Sequence, residues 1–244
     1  DNLDLLGDVS DAFGAFSLAV PIGNLELRFD ATPVTFKTVA SVAFERVTTA
    51  DFDLGDVVFP DGFRINTVVQ KPGGLPVVNA DTDVADVATG QTLYTPKDNT
   101  SASGLVSVVA VSFKKEIEIC PPLSSLLVTK VISPVVVAAD VNLGLTQLQA
   151  GVRLQGTISS SAGAVSGVDL DVRDSGTQAL VATCNDNTNG AGQYAVNVPP
   201  GVYDLEFEPP YSKPFGSVTT TSVSVAGTTT TPATLPDRAF STAY

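Results

Sequence analysis

Alternating apolar and polar positions run through the chain, and the clearest stretch of them occurs three times. The segment at 186–210 aligns without gaps with 98–122, and that copy aligns with 8–32. Because side chains of a strand alternate between its two faces, the shared apolar positions predict two strands per copy, each with one buried face. Gly14, Gly104 and Gly192 superpose, and so do the apolar sets Phe16/Val106/Tyr194, Leu18/Val108/Val196, Val20/Ala110/Val198, Leu27/Ile117/Leu205 and Phe29/Ile119/Phe207.

The repeat predicts the domain organisation. A period of about 88 residues indicates two full units, at 61–149 and 150–236, each of ordinary domain size. A partial unit at 1–60 lacks its leading strands, and residues 237–244 form a tail or begin a further repeat. Short strands between Gly- and Pro-containing turns, without helical periodicity, predict an all-β fold of tandem antiparallel β-sandwiches, immunoglobulin-like or transthyretin-like.

Individual strands follow from the same alternation. The partial unit is expected to contain strands at 16–20, 25–29, 38–47 and 53–59. In the full units we expect strands at 63–70, 77–87, 107–110, 116–119, 126–137, 152–158, 168–172, 194–198 and 203–207. One residue breaks the pattern, because Lys115 occupies an apolar position of its strand.

Composition and charge narrow the possible functions. Hydrophobic residues make up 43% of the chain and charged residues 16%, which is typical of a folded protein. The net charge of −13, without a Lys/Arg cluster, argues against nucleic acid or an anionic membrane as partner. No apolar run is long enough to insert into a membrane. The sequence begins without Met or a signal peptide, so we interpret it as a mature or excised piece of a larger protein that is secreted or displayed at the cell surface.

Enzymatic motifs are absent from the sequence. There is no His, which removes the commonest general base and metal ligand. Neither a catalytic triad nor a phosphate-binding or dinucleotide-binding pattern occurs. The chain is therefore predicted not to be an enzyme and to need no cofactor, with calcium as the one open alternative.

Several segments of the third unit resemble carboxypeptidase regulatory-like domains, which are transthyretin-like sandwiches related to collagen-adhesin B-type repeats. The segments are VRLQGTI at 152–158, AVSGVDLDV at 164–172, GQYAVNVPPGVYDLEF at 192–207 and SVAGTTT at 224–230. The resemblance implies a secreted, seven-stranded, non-catalytic module arranged in arrays as a stalk, spacer or adhesin. Some of these relatives carry a Lys–Asn crosslink with its Lys on the first strand. The segment at 152–158 has no Lys, so no crosslink is expected there.

Acidic residues recur at matching positions of the two full units. Asp81 and Asp83, like Asp169 and Asp171, are two residues apart, so each pair projects from one face of a strand. Each unit adds an Asp in a turn, Asp98 and Asp186 respectively. Such carboxylates could bind Ca²⁺. Solvated strand faces and ordinary turn chemistry explain the same pattern, and catalysis is a third, less well-motivated alternative.

The two cysteines, Cys120 and Cys184, are predicted to form a disulfide between the second and third units. The alternative is two unpaired cysteines that act as small hydrophobic residues.

The partial unit suggests a mode of assembly. Without leading strands, the apolar residues Phe16, Leu18 and Val20 would face water. The tail, with Ala239, Phe240 and Tyr244, looks like a strand with no unit of its own. We therefore expect head-to-tail homopolymers in which the tail adds to the first unit of the next subunit. The alternative is that the chain is an arbitrary window on a longer repeat protein.

Together these features predict an extracellular structural repeat protein that builds a filament, stalk or surface layer. The rival hypothesis is a non-catalytic, polysaccharide- or surface-binding accessory module of a secreted enzyme or adhesin. An exposed row of aromatic side chains on one strand face would favour the rival.

Overall fold

The computed structural model describes residues 9–31, 38–226, 233–235 and 237–240. Within these residues all regular structure is β, apart from one 3-10 turn, η1 (Leu123–Ser125). The fold is a series of antiparallel β-sandwiches, as the alternating pattern predicted.

The first unit contributes a two-stranded antiparallel sheet of β1 (Gly23–Phe29) and β2 (Val42–Thr48). The second unit contains β3 (Phe63–Gln70), β4 (Asp81–Asp86), β5 (Leu105–Ala110), β6 (Phe113–Cys120), β7 (Lys130–Val137) and β8 (Val141–Gln147). They form two three-stranded sheets in the orders β5-β3-β8 and β4-β6-β7. The pairs are antiparallel except for β3 and β8, which run parallel.

The third unit repeats this plan with additional strands. Its elements are β9 (Val152–Ser160), β10 (Gly163–Ala164), β11 (Asp169–Asp174), β12 (Leu180–Val181), β13 (Gln193–Val198), β14 (Gly201–Glu208), β15 (Val218–Val225), β16 (Ala233–Thr234) and β17 (Arg238–Phe240). One sheet has the order β10-β9-β13, with β16 and β17 also paired to β9, and the other has the order β12-β11-β14-β15.

Each full unit buries an apolar core between its two sheets. Val106 and Ile119 of the second unit are exposed by 3% or less, and so are Tyr194 and Phe207 at the matching positions of the third. The repeated glycine turn also recurs, because Gly104 and Gly192 both have positive φ and both accept a hydrogen bond at 2.8 Å from the central strand, β3 or β9. A Cβ at Gly192 would lie 2.2 Å from a backbone oxygen. The turn therefore requires glycine.

Two strands expected in the first unit are absent. Residues 16–20 and 53–59 are not strands, although 25–29 and most of 38–47 are. In the second unit the corresponding segments, β5 and β8, both pair with β3 and not with each other. The described part of the first unit holds no counterpart of β3. Both predictions were wrong because alternation supplies a strand-like pattern but not the neighbouring strand that must accept its hydrogen bonds.

Residues 237–244 were predicted to be a tail or the start of a further repeat. Residues 238–240 form β17, which pairs with β9 of the same chain. Phe240 is 5% exposed and stacks on Phe215 with the ring centroids 5.5 Å apart. Burying this ring stabilises the third unit, so the tail completes the sheet that it follows.

The strand expected at 126–137 begins only at Lys130. Residues 126–128 leave the sheet, and their backbone bonds to residues 149–151, at the boundary with the third unit.

Candidate functional site

The first and second units are joined by a short backbone bridge. Val39 and Asp61 form an isolated antiparallel pair between them. Ala40 N–H donates to the Pro60 carbonyl at 2.9 Å, and Gly62 N–H donates to the Thr38 carbonyl at 3.1 Å. These bonds fix the direction in which the chain enters the second unit.

The second and third units are joined in the same way. Leu127 and Ala150 form the isolated pair. Val128 N–H donates to the Gln149 carbonyl at 2.9 Å, and Gly151 N–H donates to the Leu126 carbonyl at 2.8 Å. Each partner lies one repeat further along the chain than its counterpart in the first joint. We call these two structures the first joint and the second joint.

Both joints have a glycine at a position without room for a side chain. A Cβ on Gly62 would lie 2.5 Å from Val109 Cγ1 and 2.9 Å from the Ala40 nitrogen. A Cβ on Gly151 would lie 2.9 Å from Val128 Cγ2. Neither glycine has positive φ, so the requirement is close packing of the units and not backbone conformation.

A disulfide spans the second joint. It connects Cys120, the last residue of β6, with Cys184, in the loop after β12, and the two Cα atoms are 5.8 Å apart. Thr129 Oγ1 donates a hydrogen bond to Cys184 Sγ at 3.2 Å. The covalent bond therefore holds the second unit directly against the third.

Side chains of the third unit also bind a carbonyl at the second joint. The carbonyl of Leu123, in η1, accepts hydrogen bonds from Arg153 Nη2 at 2.7 Å and from Asn197 Nδ2 at 3.0 Å. Asn197 points away from the core of its own unit, yet it is only 7% exposed. Its burial comes from the neighbouring unit.

The first joint has side-chain contacts of a different kind. The Arg28 guanidinium carbon lies 5.1 Å from the ring centroid of Tyr94, and the Tyr94 hydroxyl donates to the Asp30 carboxylate. Burial, followed by the neighbouring Asp30 carboxylate, raises the pKa of Tyr94 to about 12. The phenol is therefore neutral and able to donate at physiological pH.

The acidic residues predicted in the second unit lie together on the outer side of β4 and in the adjacent loop. Asp83 is directly opposite Glu118 of β6. Burial, with the Asp81 charge, raises the pKa of Asp83, and burial also raises the pKa of Asp98. Thr95 Oγ1 donates to Asp98 at 3.0 Å.

The corresponding acidic residues of the third unit are partly neutralised by an arginine. Asp171 is opposite Glu206, and Arg173 reaches both, at 2.7 Å and 3.8 Å. Burial raises the pKa of Asp186, with smaller contributions from the Asp169 and Asp171 charges. The second unit has Ala85 at the position equivalent to Arg173, so its acidic group has no matching cation on that strand.

Sequence reasoning missed Glu118, which connects the two acidic groups. Burial raises the pKa of Glu118, and the charges of Asp83 and of Asp186 in the third unit raise it further. Its position opposite Asp83 could have been inferred by pairing the two strands, but its proximity to Asp186 depends on the second joint. The structure assigns no ligand to these carboxylates, and calcium stays a prediction.

Lys115 is the one charged side chain buried completely among the described residues. It is 0% exposed, and its Nζ lies 2.8 Å from Asp86 Oδ2. The hydrogen bond from Lys115 lowers the pKa of Asp86, and the Ala88 N–H contributes to the same effect. An ion pair between a buried ammonium and a partly exposed carboxylate therefore occupies the position where the repeat elsewhere has Leu25 and Tyr203.

The residues expected to mediate assembly do not form one surface. Phe16, Leu18 and Val20 are half-buried, whereas Ala239 and Phe240 belong to β17 of their own chain. Because β17 pairs with β9 of the same chain, donation of Ala239 and Phe240 to another subunit would require this pairing to be exchanged, and it stays a prediction. Tyr244 lies outside the described residues.

Exposed aromatic side chains are scattered over the described part of the chain. Those exposed by 75% or more are Phe13, Phe113 and Tyr211, one in each unit. They do not form the row that would favour polysaccharide binding, which stays a prediction.

Among the described residues, no helix is long and apolar enough to cross a membrane. No protein family model matches the chain, and no curated protein matches it either.

Solved structures that match the chain include a TIE protein and two pilins. The Bacillus anthracis TIE protein is 13% identical over 83% of this chain and 38% of its own, with a TM-score of 0.29. A Streptococcal ancillary pilin is 11% identical over 91% of this chain and 76% of its own, with a TM-score of 0.30. The shaft pilin SpaA from Lactobacillus rhamnosus GG is 8% identical over 75% of this chain and 98% of its own, with a TM-score of 0.29. Because each TM-score lies below 0.5, none of these likenesses bears on function.

Proposed function

We propose that this chain is an extracellular structural repeat protein, whose sandwich units are held at fixed angles and serve as a stalk, spacer or filament segment. The observation that carries the proposal is the recurrence of one backbone bridge at both joints, at Val39–Asp61 and at Leu127–Ala150. Relative motion of linked domains is the default where their interface is small. A bridge repeated at each boundary restricts that motion.

The second joint carries the strongest restraint. The Cys120–Cys184 disulfide, the two hydrogen bonds to the Leu123 carbonyl and the Gly151 bond act at different points of the contact. Restraints at several separate points oppose both bending and rotation. Tandem arrays gain stiffness from such contacts between neighbours, which a stalk needs and an independently acting binding module does not.

A measurement of relative orientation tests the proposal. Residual dipolar couplings from backbone amides of the second and third units of the full chain should fit one common alignment tensor. The matched control is the double variant Cys120→Ser/Cys184→Ser, in which we expect the two tensors to diverge. Two different tensors in the unmodified, oxidised protein would contradict a rigid array.

Electron microscopy of the native material tests the biological part of the proposal. Uniform fibres or a surface layer are the expected observation. Dispersed particles that bind polysaccharide would instead support the accessory-module hypothesis.

A further inference from the structure

The disulfide of the second joint lies beside carboxylates of the second unit. Cys120 and Glu118 are two residues apart on the outer face of β6, and Asp81 of β4 is directly opposite Cys120. A carboxylate oxygen of Glu118 and the Sγ atoms of Cys120 and Cys184 all lie within 4.8 Å of one another. Asp83 is opposite Glu118, so three carboxylates share the face from which Cys120 projects.

The third unit adds a further carboxylate to these surroundings. Asp186 is two residues beyond Cys184, and its charge acts on Glu118 of the second unit. Within the described ranges, none of the carboxylates of Asp81, Asp83, Glu118 and Asp186 forms an ion pair with a Lys or Arg. Unpaired like charges on both sides of the joint make the surroundings of the disulfide electronegative.

The two sulfur atoms of the disulfide differ in accessibility. Cys120 is 7% exposed, whereas Cys184 is half-buried and lines a cavity of about 80 Å³. The cavity lies between the units, since Leu127 of the second and Asn197 of the third also line it. A cavity of this size has room for several water molecules. A small thiol therefore has space to approach Cys184 but not Cys120.

We propose that the Cys120–Cys184 disulfide is a redox-controlled lock on the second joint, and that the surrounding carboxylates select its reductant by charge. Small cationic thiols reduce it fastest and anionic thiols slowest. The attacking species in such reductions is the thiolate, which is itself negative. Carboxylates around the bond oppose its approach. A positive group elsewhere on the thiol offsets this repulsion, and a second negative group adds to it.

The reduction consists of two thiol–disulfide exchanges. A thiolate attacks Cys184 Sγ and forms a new S–S bond, while the bond between Cys184 and Cys120 breaks with its electron pair on Cys120 Sγ, which takes a proton from water. A second thiolate then attacks the sulfur of the first thiol, and Cys184 leaves and is protonated in the same way. Two electrons pass from the two thiols to the protein, and the thiols leave as their own disulfide.

This inference deepens the proposed function, because reduction would release the covalent restraint at the second joint. That consequence rests on the proposed function, whereas the charge selectivity does not. Reduction rates report on the surroundings of the disulfide, whatever the stiffness of the joint. A lack of selectivity would leave the common alignment tensor of the oxidised protein untouched, and divergent tensors would leave the selectivity untouched.

Reduction of the oxidised full chain at pH 8 tests the selectivity with three thiols: cationic cysteamine, uncharged 2-mercaptoethanol and anionic 2-mercaptoethanesulfonate. Each rate is divided by the rate of the same thiol with uncharged bis(2-hydroxyethyl) disulfide, which corrects for intrinsic reactivity. At low ionic strength the corrected rate should be at least about fivefold higher for cysteamine than for 2-mercaptoethanesulfonate, with 2-mercaptoethanol between them. Molar NaCl should bring this ratio towards one, because it shortens the Debye length to about 3 Å.

Substitutions separate local charge from net charge. Glu118→Gln should lower the ratio of the cysteamine rate to the 2-mercaptoethanesulfonate rate by about twofold, and Asp81→Asn should lower it as well. Comparing two thiols on the same variant cancels any change in how often the joint opens. Glu45→Gln removes the same net charge at an exposed position of β2 and should leave the ratio unchanged. A ratio near one in the unmodified protein, an unchanged ratio in Glu118→Gln, or an equal fall in Glu45→Gln would overturn the proposal.

Discussion

Gly62 and Gly151 have the same role in successive joints: the N–H of each donates to a carbonyl of the preceding unit, at Thr38 and at Leu126. Neither position has space for a methyl group. Each joint therefore requires a glycine at this position, because a side chain would prevent the close approach of the two units.

We expect Gly62→Ala to destabilise the protein more than Gly151→Ala. The new methyl group at residue 62 would collide with the Ala40 backbone nitrogen as well as with Val109, whereas at residue 151 the nearest atom belongs to the Val128 side chain. Overpacking of this kind costs about 1–3 kcal/mol. Thermal unfolding measures the difference. Gly190→Ala is the control, because no atom lies within 4 Å of its Cβ position; an equal loss there would contradict the packing argument.

Removing the disulfide should loosen the second joint without unfolding either unit. Neither core cluster includes Cys120 or Cys184. Loop entropy gives a stabilisation of about 4 kcal/mol for a crosslink that spans 64 residues. We therefore expect Cys120→Ser/Cys184→Ser to lower the unfolding temperature of the joined units while the native circular dichroism persists. Loss of β signal at room temperature would show that the disulfide maintains the fold itself.

Removing the Asp86 carboxylate should destabilise the protein more than removing the Lys115 ammonium. Asp86→Asn leaves the buried ammonium without its carboxylate, whereas Lys115→Met replaces it with an apolar chain of similar length. We expect a large fall in unfolding temperature for Asp86→Asn and little change for Lys115→Met. The double variant should resemble Lys115→Met, since the unpaired charge is gone. Comparable losses in the two single variants would mean that the pair itself, and not the burial of Lys115, determines stability.

The same pair makes stability depend on pH in a known direction. Lys115 lowers the pKa of Asp86 in the folded protein. The stabilisation that the ionised Asp86 carboxylate contributes is therefore complete above the ordinary pKa of Asp, and it is lost as the pH falls through the lowered pKa.

The alternating pattern predicted which strand faces are buried, but it did not predict which strands pair with each other. Alternation located β6 and β14 and the inward position of Tyr194, because burial of one face is a local property. It did not show that 16–20 would lack a partner, since pairing depends on a strand elsewhere in the chain. It marked Lys115 as an exception but could not identify Asp86, which is brought there by the register of β4 on β6.

The joints were missed for a similar reason. Residues 126–128 look like the beginning of β7 because their β-branched and apolar pattern is continuous with it. Their backbone bonds instead connect two units, and neither composition nor periodicity distinguishes these alternatives. The sequence signal that could have found them is a Gly at the start of each full unit, at Gly62 and Gly151.

Glu118 should destabilise the folded protein at neutral pH. Its pKa is raised by burial and by the Asp83 and Asp186 charges, so its favourable contribution is complete only below the ordinary pKa and is lost as the pH rises through the raised value. Glu118→Gln should increase the free energy of unfolding at pH 7 by less than about 1 kcal/mol, because solvent screens the group, and should raise the unfolding temperature accordingly. The difference from the unmodified protein should shrink near pH 4. Glu45→Gln, at an exposed position of β2, controls for net charge; an equal gain there would remove the role of the local cluster.

If Asp83, Asp98 and Glu118 of the second unit bind Ca²⁺, this acidic group should stabilise the folded protein in the presence of calcium, whereas without calcium its mutual repulsion destabilises it. A ligand that binds only the folded state raises the unfolding temperature, and a divalent cation would offset the repulsion among Asp83, Asp98 and Glu118. We expect millimolar CaCl2 to stabilise the unmodified protein and to stabilise Asp83→Asn much less. Asp171→Asn is the matched control in the third unit, where Arg173 already neutralises part of the charge, so it should keep most of the response. An unfolding temperature that calcium leaves unchanged, or an equal loss of response in both variants, would exclude a calcium site centred on Asp83.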